Sequence, residues 1–239
     1  MPGWLLGRGY TPSNRLKFKD KTRVMIRLEN LEVKLGGRTI LNRLHLHVRA
    51  REKTVISGQS GSGKSTLLQT ILGRYRPTQG EIAIDQLTFC TENLTAIRSK
   101  LFYLPQDIAV LGDETVSEFL EAPLCLAVNR GLRWDEGRVA TLFDALGLRR
   151  QLISARMGNL SGGERKRVGL IQGLLLDRPI LLLDELTSSV DEENRETLVR
   201  FVLSLTGTTV LAIAHDRYFI EHAERQLVLN DGRFDTEEA

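Results

Sequence analysis

The sequence predicts an α/β domain with a mostly parallel core sheet, preceded by an antiparallel β region and interrupted by a helical insertion. Three observations carry that expectation. A glycine-rich loop, Gly58-Gln59-Ser60-Gly61-Ser62-Gly63-Lys64-Ser65, lies between a β-branched segment and an apolar helical one. Short apolar runs at 101–104, 179–183 and 208–214 suit strands buried on both faces. Helical patterns separate those runs, and strand–helix alternation is the mark of an α/β architecture.

The elements follow in order. Met25-Ile26-Arg27-Leu28-Glu29 and Leu31-Glu32-Val33-Lys34-Leu35 alternate as two strands, and Gly36-Gly37 reads as a turn. Leu44-His45-Leu46-His47-Val48 alternates too, so both histidines share one strand face. A metal pair needs further ligands; none is in sight, and a solvent-facing surface is the expectation. Thr54-Val55-Ile56-Ser57 is the strand before the loop, and residues 66–72 form the helix after it, stopped by Gly73. Pro77-Thr78-Gln79-Gly80 turns into Glu81-Ile82-Ala83-Ile84, and Leu101-Phe102-Tyr103-Leu104 is a buried strand ending at Pro105. From about 107 to 160 the pattern becomes helical, over 114–126 and 134–146, with breaks at Gly131 and Gly147. Ser161 then opens a long helix, to about 176, with Glu164 three residues on as a capping box. The remaining elements are a central strand at 179–183, a helix at 192–205, a strand at 208–214, a short helix, a strand near 226–229 and an Asp231-Gly232 turn.

The loop has a specific chemistry. Its glycines let successive N–H groups converge on one phosphate, and the following helix adds its positive end. Gly58, Gln59, Ser60, Gly61, Ser62, Gly63, Lys64, Ser65 and Thr66 form this binding segment. Lys64 is placed to reach the β- and γ-phosphates, and the Ser65 hydroxyl to ligate Mg²⁺. Far downstream, Leu181-Leu182-Leu183-Asp184-Glu185 ends a buried strand in two acids, where ligand crevices of such sheets lie. Asp184 suits Mg²⁺; Glu185 suits the proton of an attacking water. Ser161, Gly162 and Gly163 begin a second helix whose bare first-turn N–H groups make another anion site. Two phosphate-grade sites with only one Lys-Ser loop fit a head-to-tail dimer, in which Ser161 and Gly163 of one copy cap the γ-phosphate held by the other.

Together GQSGSGKST, LSGGE, ILLLDE, Ser188-Ser189-Val190-Asp191 and Ala214-His215-Asp216 resemble the nucleotide-binding subunit of an ABC transporter, over roughly residues 26–232. The resemblance implies a P-loop NTPase fold of the ABC ATPase type, with ATP and Mg²⁺ bound. It implies that Gln106 is the Q-loop glutamine, contacting Mg²⁺ and the nucleophilic water and linking the insertion to the core. His215 matches the switch histidine at the γ-phosphate, and Asp191 the D-loop aspartate that crosses the dimer interface. Glu185, His215 and Gln106 are thus the expected catalytic set, with Ser65, Asp184 and Gln106 around the metal. The run LSGGERKRVGLIQGLLLDRPILLLDELTSSVDEEN, Leu160 to Asn194, is similar to a small subfamily of bacterial ATPases that pair with a separate permease and are linked to iron export.

Five positions depart from the family pattern. Leu35 stands where an aromatic ring usually stacks on adenine. A lost stacked ring costs about 0.5–1.5 kcal/mol, or roughly two- to tenfold in affinity. Glu164 replaces the commoner glutamine, Leu186 a proline, and Ser189-Val190 an Ala-Leu pair. No residue needed for the chemistry is missing.

Composition limits the setting. With 239 residues and two distant cysteines, Cys90 and Cys125, the chain needs no disulfide, and a reducing cytosol fits. No apolar run approaches the roughly 20 residues of a membrane span, and residues 3–7 are too short a run for a signal-peptide core. A net charge of +3 does not call for nucleic acid. The charge is uneven: Arg8, Arg15, Lys17, Lys19, Lys21 and Arg23 oppose Asp20 in residues 1–24, a net of +5 that leaves −2 for the rest. That start reads as a solvated basic tail or as a contact for anionic lipid. The expected organisation is a basic tail over 1–24, the ATPase domain over 25–232 with its helical subdomain at about 107–160, and an acidic tail over 233–239. The expected function is ATP hydrolysis that energises transport through a separate polytopic membrane permease, on the inner face of the cell membrane, with metal (iron) export as the expected cargo class. The alternative is a soluble ABC ATPase, such as one of cluster assembly.

Overall fold

The computed structural model describes residues 22–110 and 112–235. In chain order its strands and helices are β1 (Val24–Leu35), β2 (Arg38–Arg49), β3 (Lys53–Ser57), α1 (Lys64–Ile71), β4 (Gln79–Ile84), β5 (Leu87–Thr88), α2 (Leu94–Arg98), β6 (Leu101–Leu104), α3 (Val116–Glu121), α4 (Glu136–Ala145), α5 (Gly162–Leu175), β7 (Ile180–Asp184), α6 (Glu192–Ser204), β8 (Thr209–Ile213), α7 (Arg217–His222), β9 (Arg225–Asn230) and β10 (Arg233–Phe234). A four-stranded antiparallel sheet runs β2-β1-β4-β5, and a six-stranded sheet runs β10-β9-β3-β8-β7-β6. In the second sheet, β9, β3, β8, β7 and β6 are parallel, and β10 turns back against β9.

The central strands read as unbroken apolar runs because both faces are covered. Leu181, Leu183, Val210 and Ala212 point into a core shared with α3, α4, α5 and α6. Ile180, Leu182, Leu211 and Ile213 point the other way, against α1 and the antiparallel sheet. Each is at most 1% exposed, and each Val, Leu or Ile among them contributes about 1.5–3 kcal/mol. α5 packs unusually close to β6. A Cβ at Gly173 would lie 2.3 Å from Phe102 Cδ1, and one at Gly169 would lie 2.4 Å from Ile108 Cδ1. Two mid-helix glycines cost about 1 kcal/mol each in propensity, which this contact repays through burial.

Several boundaries differ from the sequence expectation. Residues 25–35 form one strand, since Asn30 takes φ 50° and bulges within β1 rather than ending it. Helix α3 stops at Glu121, five residues short of the pattern. Pro123 has no N–H for the Phe119 carbonyl; the Gln172 side chain donates to that carbonyl instead, at 2.6 Å. Helix α2 carries too short a pattern to read. The basic tail ends earlier than residue 24, because Val24 already pairs with Arg49; residues 1–21 lie outside the described residues. The C-terminal tail begins later than 233, because Arg233 and Phe234 pair with Asn230 and Leu229; residues 236–239 are likewise outside. Among the described residues, no helix is long and apolar enough to cross a membrane.

Candidate active site

Sheet order assembles the site. Neighbouring parallel strands β3, β8, β7 and β6 release the chain at the same end, at the glycine loop, His215, Asp184-Glu185 and Gln106 respectively. Segments scattered over 150 residues of sequence thus meet along one sheet edge, where ligands of open α/β sheets bind.

The loop is held tightly. Gly58 has φ 142°, and a Cβ there would fall 2.1 Å from the Leu229 carbonyl oxygen of β9. The loop is also tied to the turn before β10, since Gly232 N–H donates to Ser62 O at 3.1 Å. Gln59, Ser60 and Gly61 are exposed, while Ser62, Gly63 and Lys64 are buried. Helix α1 starts at Lys64 with no side-chain cap and no acid in its first turn, which includes Ser65 and Thr66. Among the described residues, Ser62 Oγ is buried with no hydrogen-bond partner. Lys64 Nζ donates to Gly58 O at 2.8 Å and Gln59 O at 2.7 Å. Burial pushes the Lys64 amine below its ordinary value, against the charges of Glu185 and Asp184.

Asp184 is 3% exposed, and among the described residues its carboxylate accepts two hydrogen bonds. Ser65 Oγ donates to Oδ1 at 3.3 Å, and Tyr103 Oη donates to Oδ2 at 3.0 Å. Burial first, then the Asp184 charge, pushes the Tyr103 phenol up to about 12. Glu185 follows in the left-handed conformation, φ 50°, which swings its side chain away from that of Asp184. Its carboxylate accepts from Gln106 Nε2 at 2.9 Å, and its other oxygen lies 3.6 Å from His215 Nε2. The expected catalytic set of Glu185, Gln106 and His215 is therefore one connected group beside Asp184.

Ser161, Gly162, Gly163 and Asp191 form a second group. Ser161 Oγ accepts from Glu164 N–H at 3.2 Å, and Ser161 N–H donates to Glu164 Oε2 at 2.9 Å, completing the capping box. That backbone hydrogen bond holds the Glu164 carboxyl below its ordinary value. Cβ atoms added at Gly162 and Gly163 would each fall 2.8 Å from Ser189 atoms, so the start of α5 packs on the 188–191 turn. Asp191 caps α6 by accepting from Asn194 N–H at 3.0 Å. Among the described residues, no hydrogen bond or ion pair joins this group to the loop of Lys64 in the same chain.

Two residues escaped the sequence reading. Tyr103 sits in an apolar strand, and its signal was the hydroxyl, which seeks a partner when buried. Lys166, 3% exposed, donates to Pro105 O at 2.9 Å and to Asp184 O and Glu185 O at 3.2 Å. Desolvation pushes its amine down to about 8, against the charges of Asp184, Asp107 and Glu185. Its signal was helical spacing, four residues before Leu170 on the buried stripe of α5. Leu35, which the family resemblance matches to an adenine-stacking ring, is half-buried and, like Ile40, packs against the core. His45 and His47 are half-exposed and share Glu29, one at each carboxylate oxygen, at 3.1 and 2.8 Å. They form a surface cluster, and among the described residues no group of three or more His, Cys, Asp or Glu is arranged to hold a metal.

The comparisons agree with this geometry. The family model described as ABC transporter matches residues 41–188. The probable iron export ATP-binding protein FetA of Escherichia coli (strain K12) is 31% identical over 219 residues, which cover 90% of this chain and 95% of that protein. The ATP-dependent lipid A-core flippase of Ralstonia nicotianae is 30% identical over 235 residues, 93% of this chain but only 39% of the flippase, so the chain spans about two-fifths of that relative. A dimeric structure of a post-hydrolysis state of the ATP-binding cassette MJ0796, bound to ADP and Pi, superimposes with a TM-score of 0.78 at 28% identity, covering 89% of this chain and 97% of that one. With its loop, paired acids, glutamine and histidine on one sheet edge, and with that family model spanning more than half of its length, the chain belongs to the ABC transporter family.

Proposed function

We propose that this chain is the ATP-binding and ATP-hydrolysing subunit of an ABC transporter, driving a separate polytopic membrane permease from the cytoplasmic face. The observation that carries the reading is the Glu185 carboxylate, held by Gln106 at 2.9 Å next to an Asp184 that bonds Ser65. A base, a metal-grade acid and a phosphate loop occupy one sheet edge.

The residues fit Mg²⁺-nucleotide. Among the described residues, Ser62 Oγ has no hydrogen-bond partner and the first turn of α1 carries no side-chain cap, so both are left to receive phosphate. Ser65 Oγ and Asp184 offer hard oxygens, and Mg²⁺ takes one or two such protein ligands beside water and phosphate. When bound there, the ion neutralises charge on the β- and γ-phosphates and polarises the bond that breaks.

The chain's own residues do the rest. Lys64 exchanges its loop carbonyls for phosphate oxygens, and burial strengthens that attraction. Glu185 accepts the proton of the attacking water, a role worth roughly 10²–10⁴-fold. Gln106 orients the Glu185 carboxylate and reports its position to the 107–160 segment, which we assign as the helical subdomain that grips the permease. His215 donates toward the developing charge on the γ-phosphate. Ser161, Gly163 and Asp191 serve the phosphate held by a second copy. Metal (iron) export is the cargo class favoured, on the likeness to FetA over nearly all of that protein's length.

Turnover tests the reading. Wild-type protein with Mg²⁺ and ATP should release phosphate faster than Lys64→Ala, and Glu185→Gln should bind ATP yet lose about 10²-fold or more in turnover. A Glu185→Gln variant with near-wild-type turnover would remove Glu185 as the base. Cell iron tests the cargo: a strain lacking the gene should accumulate iron and tolerate less of it, and unchanged iron content would exclude this cargo.

A further inference from the structure

We propose that Lys166 is a positioning residue for hydrolysis, whose single buried ammonium fixes the backbones carrying both Gln106 and Glu185. The proposal rests on the ATPase reading above and adds a component to it. Three carbonyls converge on Lys166 Nζ: Pro105 O at 2.9 Å, and Asp184 O and Glu185 O at 3.2 Å. The first precedes Gln106 in the chain, and the other two flank the peptide on which Glu185 sits. The side chains of Gln106 and Glu185 meet at 2.9 Å. Their meeting requires the ends of β6 and β7 to keep a fixed separation, and Lys166 spans that separation.

Glu185 needs such a hold. Its φ of 50° is a conformation that non-glycine residues keep only when the surroundings enforce it. Its N–H donates to Ile213 O at 3.0 Å, and its carbonyl accepts from Ser188 Oγ at 2.8 Å as well as from Lys166. The chemistry of the site argues against plain packing. Lysine is seldom buried unless paired, and within 4 Å Lys166 meets no carboxylate among the described residues, only carbonyl groups. An apolar residue there would fill the space at lower desolvation cost. What an apolar residue lacks is three divergent donors on a flexible stem. Because Lys166 stands in the second turn of α5, it also links the Ser161–Gly163 end of that helix to its own chain's base.

The test uses the purified full-length chain with Mg²⁺ and ATP, comparing wild type, Lys64→Ala, Lys166→Met and Lys166→Gln. Lys166→Met should lower kcat roughly 10- to 100-fold, the scale expected for displacing a catalytic group. KM for ATP should stay within about twofold, since ground-state binding is untouched. Lys166→Gln keeps two N–H donors and should recover most of kcat. A Met variant with kcat within about twofold of wild type overturns the proposal, as does a loss matched by an equal rise in KM. If Lys166→Met does not fold, Lys166→Ala takes its place: reduced kcat at unchanged KM supports positioning, and any other result overturns it. Failure of both to fold makes the residue structural and also overturns it. Wild type no faster than Lys64→Ala would sink the ATPase reading and this proposal with it, whereas an active wild type beside an equally active Met variant sinks this proposal alone.

Discussion

At Asp184 two hydroxyls share one carboxylate, and the division tells what each is for. Ser65 Oγ holds Oδ1 from the loop side, and Tyr103 Oη holds Oδ2 from β6. With its phenol pushed up to about 12, Tyr103 stays a donor throughout the working pH range. The bond fixes the carboxylate's rotation, so that Oδ1 keeps facing Ser65. Hydrogen bonds to charged groups are worth about 1.5–3 kcal/mol, but Tyr103 is only half-buried and Asp184 keeps Ser65, so the lower end applies. Tyr103→Phe should leave the fold intact and raise the Mg²⁺ concentration needed for half-maximal turnover by roughly tenfold. A magnesium titration at saturating ATP reads this directly, and an unchanged Mg²⁺ requirement would show that Asp184 is held without the tyrosine.

At the scale of elements, helix termini carry both stability and chemistry. The start of α5 spends its Ser161 groups on Glu164, a carboxylate where the family more often has an amide. An anion in the first turn of a helix contributes about 0.3–1 kcal/mol, which for a domain of this size is about 1–4 °C in Tm. The sign of its pH dependence follows from the lowered carboxyl. Glu164 binds protons less readily folded than unfolded, so its contribution is complete above the ordinary value of 4.5 and is lost as pH falls through the lower folded one. Glu164→Ala should therefore melt below wild type at pH 7, and the gap should narrow as pH falls below 4.5. A gap of constant size across that range would mean that the carboxylate's charge does nothing at this terminus. The same scale shows what was legible beforehand. The capping box was, because Ser161 and Glu164 signal it by spacing alone. The end of α3 was not, because the pattern runs on past Pro123 and only the distant Gln172 side chain accommodates the break. Nor was the continuity of β1, since an asparagine bulge and a turn look alike until the partner strands are known.

Across the whole molecule, two of the site's groups were legible because each is local, a loop after a strand and two acids ending another, whereas the glutamine and the histidine that follow two more strands were pointed to by the family resemblance. Parallel pairing then brings them together without further instruction. Tyr103 and Lys166 were hidden because their roles depend on what faces them across the sheet, which spacing does not encode. One piece remains apart even in the folded chain. Gly162 and Gly163 pack on Ser189, and among the described residues Ser161, Gly163 and Asp191 make no hydrogen bond to the loop of Lys64, yet Ser161 and Gly163 lie at a helix terminus able to take an anion. If two copies assemble head to tail, each terminus meets the other copy's phosphate, and binding and catalysis become separable properties. A bulky cation at the junction should then block closure while leaving the Lys64 loop intact. Ser161→Arg should bind ATP as a monomer with an affinity within about twofold of wild type, since the loop contacts are unchanged. Its turnover should fall to the Lys64→Ala level. Added to Glu185→Gln, the same substitution should abolish the ATP-dependent dimer that light scattering detects in the single variant. Loss of monomer binding in Ser161→Arg, or a dimer that persists in the double variant, would mean that each chain completes its own site.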